Sequence, residues 1–208
     1  RGLRVLGIGD CPYDHLREEL RRALDEYYYV SSLEHYDEVY GAVAYFAFKY
    51  GKPDWLESNN EYWLERDARL REDFNLASGF RPGDMPPVKY KSCMKERFSA
   101  AGIPVARWIR ADDDAACRAF LREVGRAVVK PDNGVGANAT YPISCEADLR
   151  AFFAQPRTGY LMEEFVDGTV CSYDAIVDAS GTPVFETGNV TPRSIMDIVN
   201  DRRESFFY

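Results

Sequence analysis

The sequence predicts an α/β protein in its first part and a mixed α+β arrangement in its second. In residues 1–87, short apolar strands alternate with helices of amphipathic spacing, which is typical of a parallel sheet covered by helices. Later the pattern changes. Apolar and polar residues alternate over 173–177, a glycine turn follows, and the pattern resumes at 183–185. This alternation predicts an antiparallel hairpin.

The first part contains three strand–helix repeats. Its opening apolar run ends at Gly7 and Gly9, which predicts a short buried strand. Leucines four residues apart among charged residues predict the helix that follows, and Gly51-Lys52-Pro53 ends the second helix. The predicted elements are strands at 3–9, 27–30 and 54–58 and helices at about 14–25, 37–50 and 61–74.

A stretch rich in glycine and proline, residues 78–87, predicts a boundary between the two parts. Beyond it the acidic residues at 112–114 favour a helix start, because they suit the positive end of its dipole. The predicted helices there are 92–101, 112–124 and 146–153, and the predicted strands are 105–109, 127–131, 140–143, 160–166, 173–177 and 183–185.

Composition excludes several classes of protein. A formal net charge of -8 over 208 residues argues against nucleic acid as a partner. No apolar run approaches the ~20 residues that span a bilayer. The five cysteines are scattered and form no Cys-x-x-Cys pair, which favours reduced thiols in a cytoplasmic protein over disulfides or a zinc site. The two histidines are too few for a histidine-rich metal centre.

The first glycine loop offers two weak alternatives. Gly7 and Gly9 partly match a dinucleotide fingerprint, but Pro12 stands where its third glycine or alanine belongs. Cys11 and Arg17 have the Cys-x5-Arg spacing of a tyrosine phosphatase loop. There the neighbouring aspartates would disfavour a thiolate and repel phosphate, and Pro12 removes a backbone donor. An ordinary strand-ending turn is the favoured interpretation.

A second glycine loop, Gly134-Val135-Gly136, follows a strand that carries Lys130. The extended, proline-containing segment 140–143 comes next, whereas a Rossmann turn must lead into a helix. We therefore interpret the loop as a flexible turn between two strands. Its N–H groups are able to cover phosphates, with the lysine supplying compensating charge. The alternative is an ordinary hairpin tip with a solvated lysine.

Three motifs in order make the second part recognisable. Lys91 and Met94 precede Ala101-Gly102-Ile103-Pro104, the segment 128–131 precedes the glycine loop, and 161–168 reads Leu-Met-Glu-Glu-Phe-Val-Asp-Gly. Together these motifs resemble the linker helix, lysine strand with lid loop, and adenine hinge of the ATP-grasp superfamily. The resemblance covers about residues 89–185. This segment is similar to carboxylate–amine ligases, biotin carboxylase and carbamoyl-phosphate synthetase.

The resemblance implies a Rossmann-like pre-ATP-grasp domain at 1–87, without its usual first strand and helix, followed by a partial ATP-grasp fold. Residues 88–158 would form the linker helix and lid subdomain, and 159–208 would start the C-terminal subdomain. Lys91 and Lys130 would bind the ATP phosphates. The backbone of Glu164 and Val166 would contact the adenine edge. The implied ATP-binding residues are Lys91, Lys130, Gly134, Val135, Gly136, Glu163, Glu164, Phe165, Val166 and Asp174.

The side chain of Glu163 would contact the adenine amino group or the ribose, although paired glutamates at a strand end are often only solvated. Many relatives carry a glutamate or histidine after the hinge glycine, where this chain has Thr169-Val170. Asp174 would substitute, or would face solvent. Arg193 would face the transferred phosphate or the acid substrate, and a surface charge is its alternative.

The implied function is an ATP- and magnesium-dependent carbon–nitrogen ligase, which activates a small carboxylate as an acyl phosphate for attack by an amine or another nucleophile. A homodimer is compatible with the resemblance. The family's late acidic magnesium ligands are expected to lie outside residues 1–208, so this chain alone is expected to lack ligase turnover. The alternative is a non-catalytic ATP-binding regulatory module. A third hypothesis, a NAD-dependent oxidoreductase, depends on Gly7 and Gly9 alone.

Overall fold

The structure is a computed structural model that describes residues 2–134 and 139–191. The chain divides into two compact units, Arg1–Pro86 and Pro87–Tyr208. No helix among the described residues is long and apolar enough to cross a membrane.

The first unit is built on two parallel strands. β1 (Leu6–Gly9) pairs with β2 (Glu26–Tyr29) from Leu6 opposite Glu26 to Gly9 opposite Tyr29. Its helices are α1 (Glu18–Ala23), α2 (Tyr36–Tyr50) and α3 (Leu64–Asp73). Val39, Val43 and Leu70 form a small buried cluster between α2 and α3. Parallel strands joined through a helix confirm the α/β class predicted for this part.

Two predicted elements of the first unit are wrong in detail. The first helix is shorter than predicted, because Leu16 and Arg17 are extended. The predicted strand at 54–58 does not form. Its backbone carbonyl at Leu56 accepts hydrogen bonds from Nε and Nη2 of Arg71, at 3.0 and 2.9 Å, and not from a neighbouring strand. A buried arginine thus takes the acceptor that a strand ladder would use.

The second unit is an antiparallel sheet with helices. α4 (Pro86–Lys89) lies at the division between the units, and α5 (Lys91–Ala100) follows it. The four-stranded sheet has the order β3 (Trp108–Arg110), β6 (Tyr160–Glu164), β4 (Ala127–Pro131) and β5 (Tyr141–Ile143). The remaining helices are α6 (Asp114–Val124) and α7 (Glu146–Phe153).

The core of this unit lies between one face of the sheet and the helices α6 and α7. Val129 and Met162 are register partners on β4 and β6, and both are fully buried in this core. Cys117, Phe120 and Leu149 enter it from the two helices. Because successive side chains on a strand point to opposite faces, the residues that alternate with Val129 and Met162 belong to the other face of the sheet.

A separate hairpin completes the described chain. β7 (Val170–Val177) and β8 (Pro183–Thr191) pair antiparallel, which confirms the predicted hairpin. All five cysteines are free. Burial raises the pKa of the Cys117 thiol to about 11, so this side chain acts as a small apolar core residue.

In the first unit, Glu26 accepts hydrogen bonds from several side chains, and these bonds predict how its pKa depends on its partners. Hydrogen bonds from Lys49 first, and from Tyr50 and Tyr45, lower the pKa of Glu26 to about 2. A lowered folded-state pKa stabilises the protein above the unfolded pKa, and this contribution is lost as pH falls through about 2. We expect Lys49→Met to raise the Glu26 pKa, and Lys52→Met to leave it unchanged, in an NMR titration of the carboxyl carbon. An equal pKa in both variants would contradict the assignment.

Candidate nucleotide-binding site

The alternation of side chains places Lys130 and Glu163 on the sheet face that points away from α6 and α7. Glu163 lies opposite Val128, and Lys130 lies opposite Leu161. The two are therefore diagonal neighbours on adjacent strands, within reach of long side chains. The Lys130 ammonium lies 2.9 Å from Oε2 of Glu163. An ion pair thus joins β4, which carries the lysine predicted to bind phosphate, to β6, which carries the residues predicted to contact adenine.

A second lysine reaches the same carboxylate oxygen. Lys95 Nζ, from α5, lies 3.2 Å from Oε2 of Glu163. Glu163 is only 6% exposed, and the Lys95 and Lys130 side chains are 13% and 29% exposed. A carboxylate removed from water requires compensating charge. Both compensating charges lie on one oxygen.

The other oxygen of this carboxylate has no such partner. Oε1 of Glu163 is buried and accepts no hydrogen bond from the described residues. A carboxylate oxygen is a strong acceptor, and leaving one unsatisfied costs about 1–3 kcal/mol. Buried acceptors of this kind are rare in folded proteins and call for an explanation, such as a ligand donor or a water molecule. The Glu163 side chain is therefore not simply solvated at a strand end.

Asp132 fixes the start of α5 to the end of β4. Its carboxylate accepts a hydrogen bond from the N–H of Ser92 at 2.8 Å and from the Ser92 hydroxyl at 2.7 Å. Its carbonyl accepts from the N–H of Lys91 at 3.1 Å. The helix has no capping side chain from its own preceding residue, Tyr90. The first N–H groups of a helix need acceptors, and a residue forty positions along the chain supplies them here.

This attachment brings Lys91 to the glycine loop. The Lys91 ammonium donates to the carbonyl of Gly134 at 2.7 Å and to that of Asp132 at 3.3 Å. Since Asp132 follows Lys130 by two residues, both lysines that the sequence selected lie at the end of β4 where the loop begins. Val135 and Gly136 lie outside the described residues.

Glu164 is directed to the opposite face from Glu163. Its carboxylate accepts from the N–H of Arg107 at 2.9 Å and from Arg107 Nε at 2.8 Å, and Arg107 also pairs with Glu123 on α6. Hydrogen bonds from the Arg107 backbone and side chain lower the pKa of Glu164. Adjacent glutamates on one strand thus have different environments, and only Glu163 belongs to the buried charged cluster.

The backbone of the hinge is partly occupied. The N–H of Glu164 donates to the carbonyl of Arg107, and the N–H of Phe165 donates to the carbonyl of Arg126, both at 2.9 Å. The Arg126 guanidinium stacks 4.1 Å from the centre of the Phe165 ring. Val166 is exposed. These hydrogen bonds occupy the N–H groups of Glu164 and Phe165. A ligand would therefore bind to the Glu164 carbonyl and the Val166 N–H.

Two further sequence-selected residues are Asp174 and Arg193. Asp174 lies on the exposed strand β7, where its carboxylate accepts from the Ser172 hydroxyl at 3.3 Å. Arg193 lies outside the described residues. In residues 2–134 and 139–191, no group of three or more His, Cys, Asp or Glu side chains could hold a metal ion.

The structure adds residues that the sequence reasoning missed. Lys95 lies one helical turn after Lys91, a spacing that places both on one helix face and could have identified it. Asp132 and Ser92 had no such signal, because their contact joins segments forty residues apart. At the first glycine loop, the Tyr27 hydroxyl would lie 2.5 Å from a Cβ at Gly9. Close packing against Tyr27 thus explains why position 9 is a glycine.

Comparison with solved structures identifies the fold. Neither a protein-family model nor a curated protein matches the sequence. The biotin carboxylase domain of 2-oxoglutarate carboxylase from Hydrogenobacter thermophilus matches with a TM-score of 0.64 and 17% identity, over 83% of this chain and 41% of that one. N5-carboxyaminoimidazole ribonucleotide synthetase from Thermus thermophilus matches with a TM-score of 0.62 and 19% identity, over 91% and 47%. The chain has part of an ATP-grasp fold.

An L-amino acid ligase from Bacillus licheniformis gives the same result, with a TM-score of 0.59, 16% identity, and coverage of 91% of this chain and 43% of that one. The chain therefore spans less than half the length of these ATP-grasp structures. The predicted fold class, an α/β segment followed by a partial ATP-grasp fold, is confirmed. The identities are too low to transfer a substrate.

The anchoring of α5 yields a stability prediction. We expect Asp132→Ala to lower the free energy of unfolding by about 2 kcal/mol, because the helix loses its cap and the buried Ser92 hydroxyl loses its acceptor. Urea unfolding would measure the change, and amide hydrogen exchange would locate it in the first turn of α5. Asp112→Ala removes an exposed acid and should have little effect. Unchanged exchange in α5 would refute the anchoring role.

Proposed function

We propose that this chain is the ATP-binding part of a carbon–nitrogen ligase that activates a small carboxylate as an acyl phosphate. The observation that carries the proposal is the juxtaposition of three features on one sheet face. Lys130 lies on the strand leading into a glycine loop, Lys91 contacts the start of that loop, and Glu163 presents a buried acceptor without a partner among the described residues. Charge for phosphates and an acceptor for a base thus lie on adjacent strands.

The two lysines would neutralise the phosphates. Each ammonium is a compact charge on a flexible stem, which suits an oxyanion that changes position. Lys91 donates to loop carbonyls and Lys130 pairs with Glu163. Both ammonium groups therefore have partners that are exchangeable for phosphate oxygens. Backbone N–H groups of the glycine loop, at Gly134 and at Val135 and Gly136, would add further donors.

Glu163 would recognise the base. Its Oε1 would accept a hydrogen bond from the adenine amino group, which would satisfy the buried oxygen. The Glu164 carbonyl and the Val166 N–H would contact the same edge of the ring, since the N–H groups of Glu164 and Phe165 already have partners. Phe165 would shape the hinge. Asp174 would contact the ribose, and Arg193 would face the transferred phosphate or the acid substrate.

The chemistry proposed for the whole ligase follows from charge. A carboxylate oxygen would attack the γ-phosphorus and ADP would leave; an amine would then displace phosphate from the acyl phosphate. Residues of this chain would hold the phosphates and offset negative charge as it moves between them. The matched structures support nucleotide use, since one is described as a complex with MgADP, ADP and bicarbonate.

Magnesium stays part of the proposal for the whole protein, where it would supply positive charge that offsets the phosphates. The described residues contain no cluster of acids that fits it, so none of them is proposed as a magnesium ligand. Homodimeric assembly and a cytoplasmic location also stay predictions.

The proposal predicts that Lys130→Ala weakens ATP binding. Losing one charge-assisted contact to phosphate should reduce affinity by about ten- to a hundredfold. Calorimetric titration with ATP would measure the change. Lys52→Ala, which removes a lysine that donates to the Asn75 carbonyl in the first unit, should bind as the unaltered protein does. Equal affinities for the Lys130 variant and the unaltered protein would remove Lys130 from the site.

An assay for ADP release separates the ligase from a non-catalytic ATP-binding module. For the whole ligase, release should depend on an added carboxylate and amine. Binding of ATP without such dependence in the complete protein would favour the regulatory alternative.

A further inference from the structure

Lys95 is the residue of the buried cluster that the proposed function leaves without a role. It lies on α5, one turn after Lys91, and contacts Glu163 Oε2 at 3.2 Å. Lys130 contacts the same oxygen at 2.9 Å. The proposed function asks Lys130 to bind phosphate. When its ammonium moves to a phosphate, Glu163 loses one of the two charges that compensate it.

We propose that Lys95 is a positioning residue for nucleotide selection, which holds the Glu163 carboxylate in place when Lys130 turns to the phosphates. This inference rests on the proposed function. Lys95 keeps Oε2 paired, and Oε1 therefore stays directed toward the base as an acceptor. The two lysines have separate tasks: Lys130 exchanges partners, and Lys95 does not.

Burial explains why the second lysine is needed. Glu163 is 6% exposed and the Lys95 side chain is 13% exposed, so water contributes little to either charge. A buried carboxylate deprived of its partner is strongly disfavoured. Without Lys95, movement of the Lys130 ammonium to phosphate would leave the Glu163 carboxylate without a compensating charge, and nothing would hold it in place for the base. Lys95 thus lowers the free-energy cost of moving Lys130.

The helix that carries Lys95 is fixed independently of the ion pair. Asp132 caps α5 through Ser92, and the Lys91 N–H bonds to the Asp132 carbonyl. Positions four apart lie on one face of a helix. Lys95 is therefore presented to Glu163 by the same anchoring that presents Lys91 to the glycine loop. The contact between Lys95 and Glu163 does not need nucleotide to form.

The chemistry of the second carboxylate oxygen supplies a readout. An ionised carboxylate only accepts hydrogen bonds. The 6-amino group of adenine is a donor, whereas inosine triphosphate carries an oxygen acceptor at the same position. Two acceptors facing each other repel, so the ratio of ATP affinity to ITP affinity reports the placement of Oε1. Phosphate contacts are common to both nucleotides and cancel in this ratio.

The experiment measures ATP and ITP affinities by calorimetry for the whole chain and its variants. We expect Lys95→Met to reduce ATP affinity about tenfold and to lower the ATP-to-ITP ratio, as expected for loss of one charge-assisted contact. Lys95→Arg should retain most of the ratio. Arg97→Met, which removes an exposed cation from the same helix, should match the unaltered protein.

A double-mutant cycle separates positioning from direct contact. In a Glu163→Gln background, Lys95→Met should cause no further fall in the ATP-to-ITP ratio, because the neutral amide needs no cation. This background also provides a folded comparison if Lys95→Met alone is unstable.

An unchanged ratio in Lys95→Met, beside normal ATP binding by the unaltered protein, would overturn this inference and leave the proposed function intact. Equal losses for ATP and ITP that persist in the Glu163→Gln background would also overturn it, since Lys95 would then contact phosphate directly. Absence of ATP binding in the unaltered protein would overturn the proposed function, and the role of Lys95 with it.

Discussion

The burial of the Glu163 carboxylate constrains the arrangement of the whole second unit. The sheet face that carries Glu163 must supply positive charge, because an uncompensated carboxylate at this depth would destabilise the fold. Lys130 comes from the neighbouring strand β4, and Lys95 comes from helix α5, which precedes both strands in the chain. The carboxylate therefore ties β4, β6 and α5 together. Its second oxygen remains buried and without a partner among the described residues.

Asp132 provides the complementary attachment at the other end of the same face. A carboxylate at the end of β4 caps α5, and the carbonyl of the same residue holds the N–H of Lys91. Helix caps are usually local in sequence, supplied by the residue at the helix start. Here the cap is a tertiary contact, so the position of α5 depends on the strand that carries Lys130. Movement of either element would alter the distance between Lys91 and Lys130.

The carboxylates of Asp132 and Glu163 differ in how their oxygens are hydrogen-bonded. Asp132 is satisfied by Ser92 and performs a structural task. Glu163 has one satisfied and one unsatisfied oxygen, which is the pattern expected of a group that awaits a donor. Glu164, its neighbour in sequence, faces the opposite side and forms an ion pair with Arg107 near the surface. Thus adjacent or similar acids differ in function through the face and depth at which the strand places them.

The sequence alone determined the fold class and most of the elements. The order of the linker lysine, the lysine strand with its glycine loop, and the Glu-Glu hinge was sufficient to predict the ATP-grasp fold, because each motif depends on local residues at fixed spacing. It also selected Lys91, Lys130 and Glu163. The structure pairs Lys130 with Glu163 and places the Lys91 ammonium at the Gly134 carbonyl, just after β4. It failed at residues 54–58, where a strand-like segment gives its carbonyl to Arg71.

Tertiary structure decided the contacts between segments distant in the chain. The contacts of Lys95 and Asp132 depend on which strand face and which helix end they meet. The spacing of Lys95 from Lys91 places both on one helix face, but the partner of Lys95 is set by the tertiary structure. The two glutamates of the hinge are identical in sequence terms. Only the alternation of side chains across a sheet with helices α6 and α7 on one face makes Glu163 the buried member of the pair.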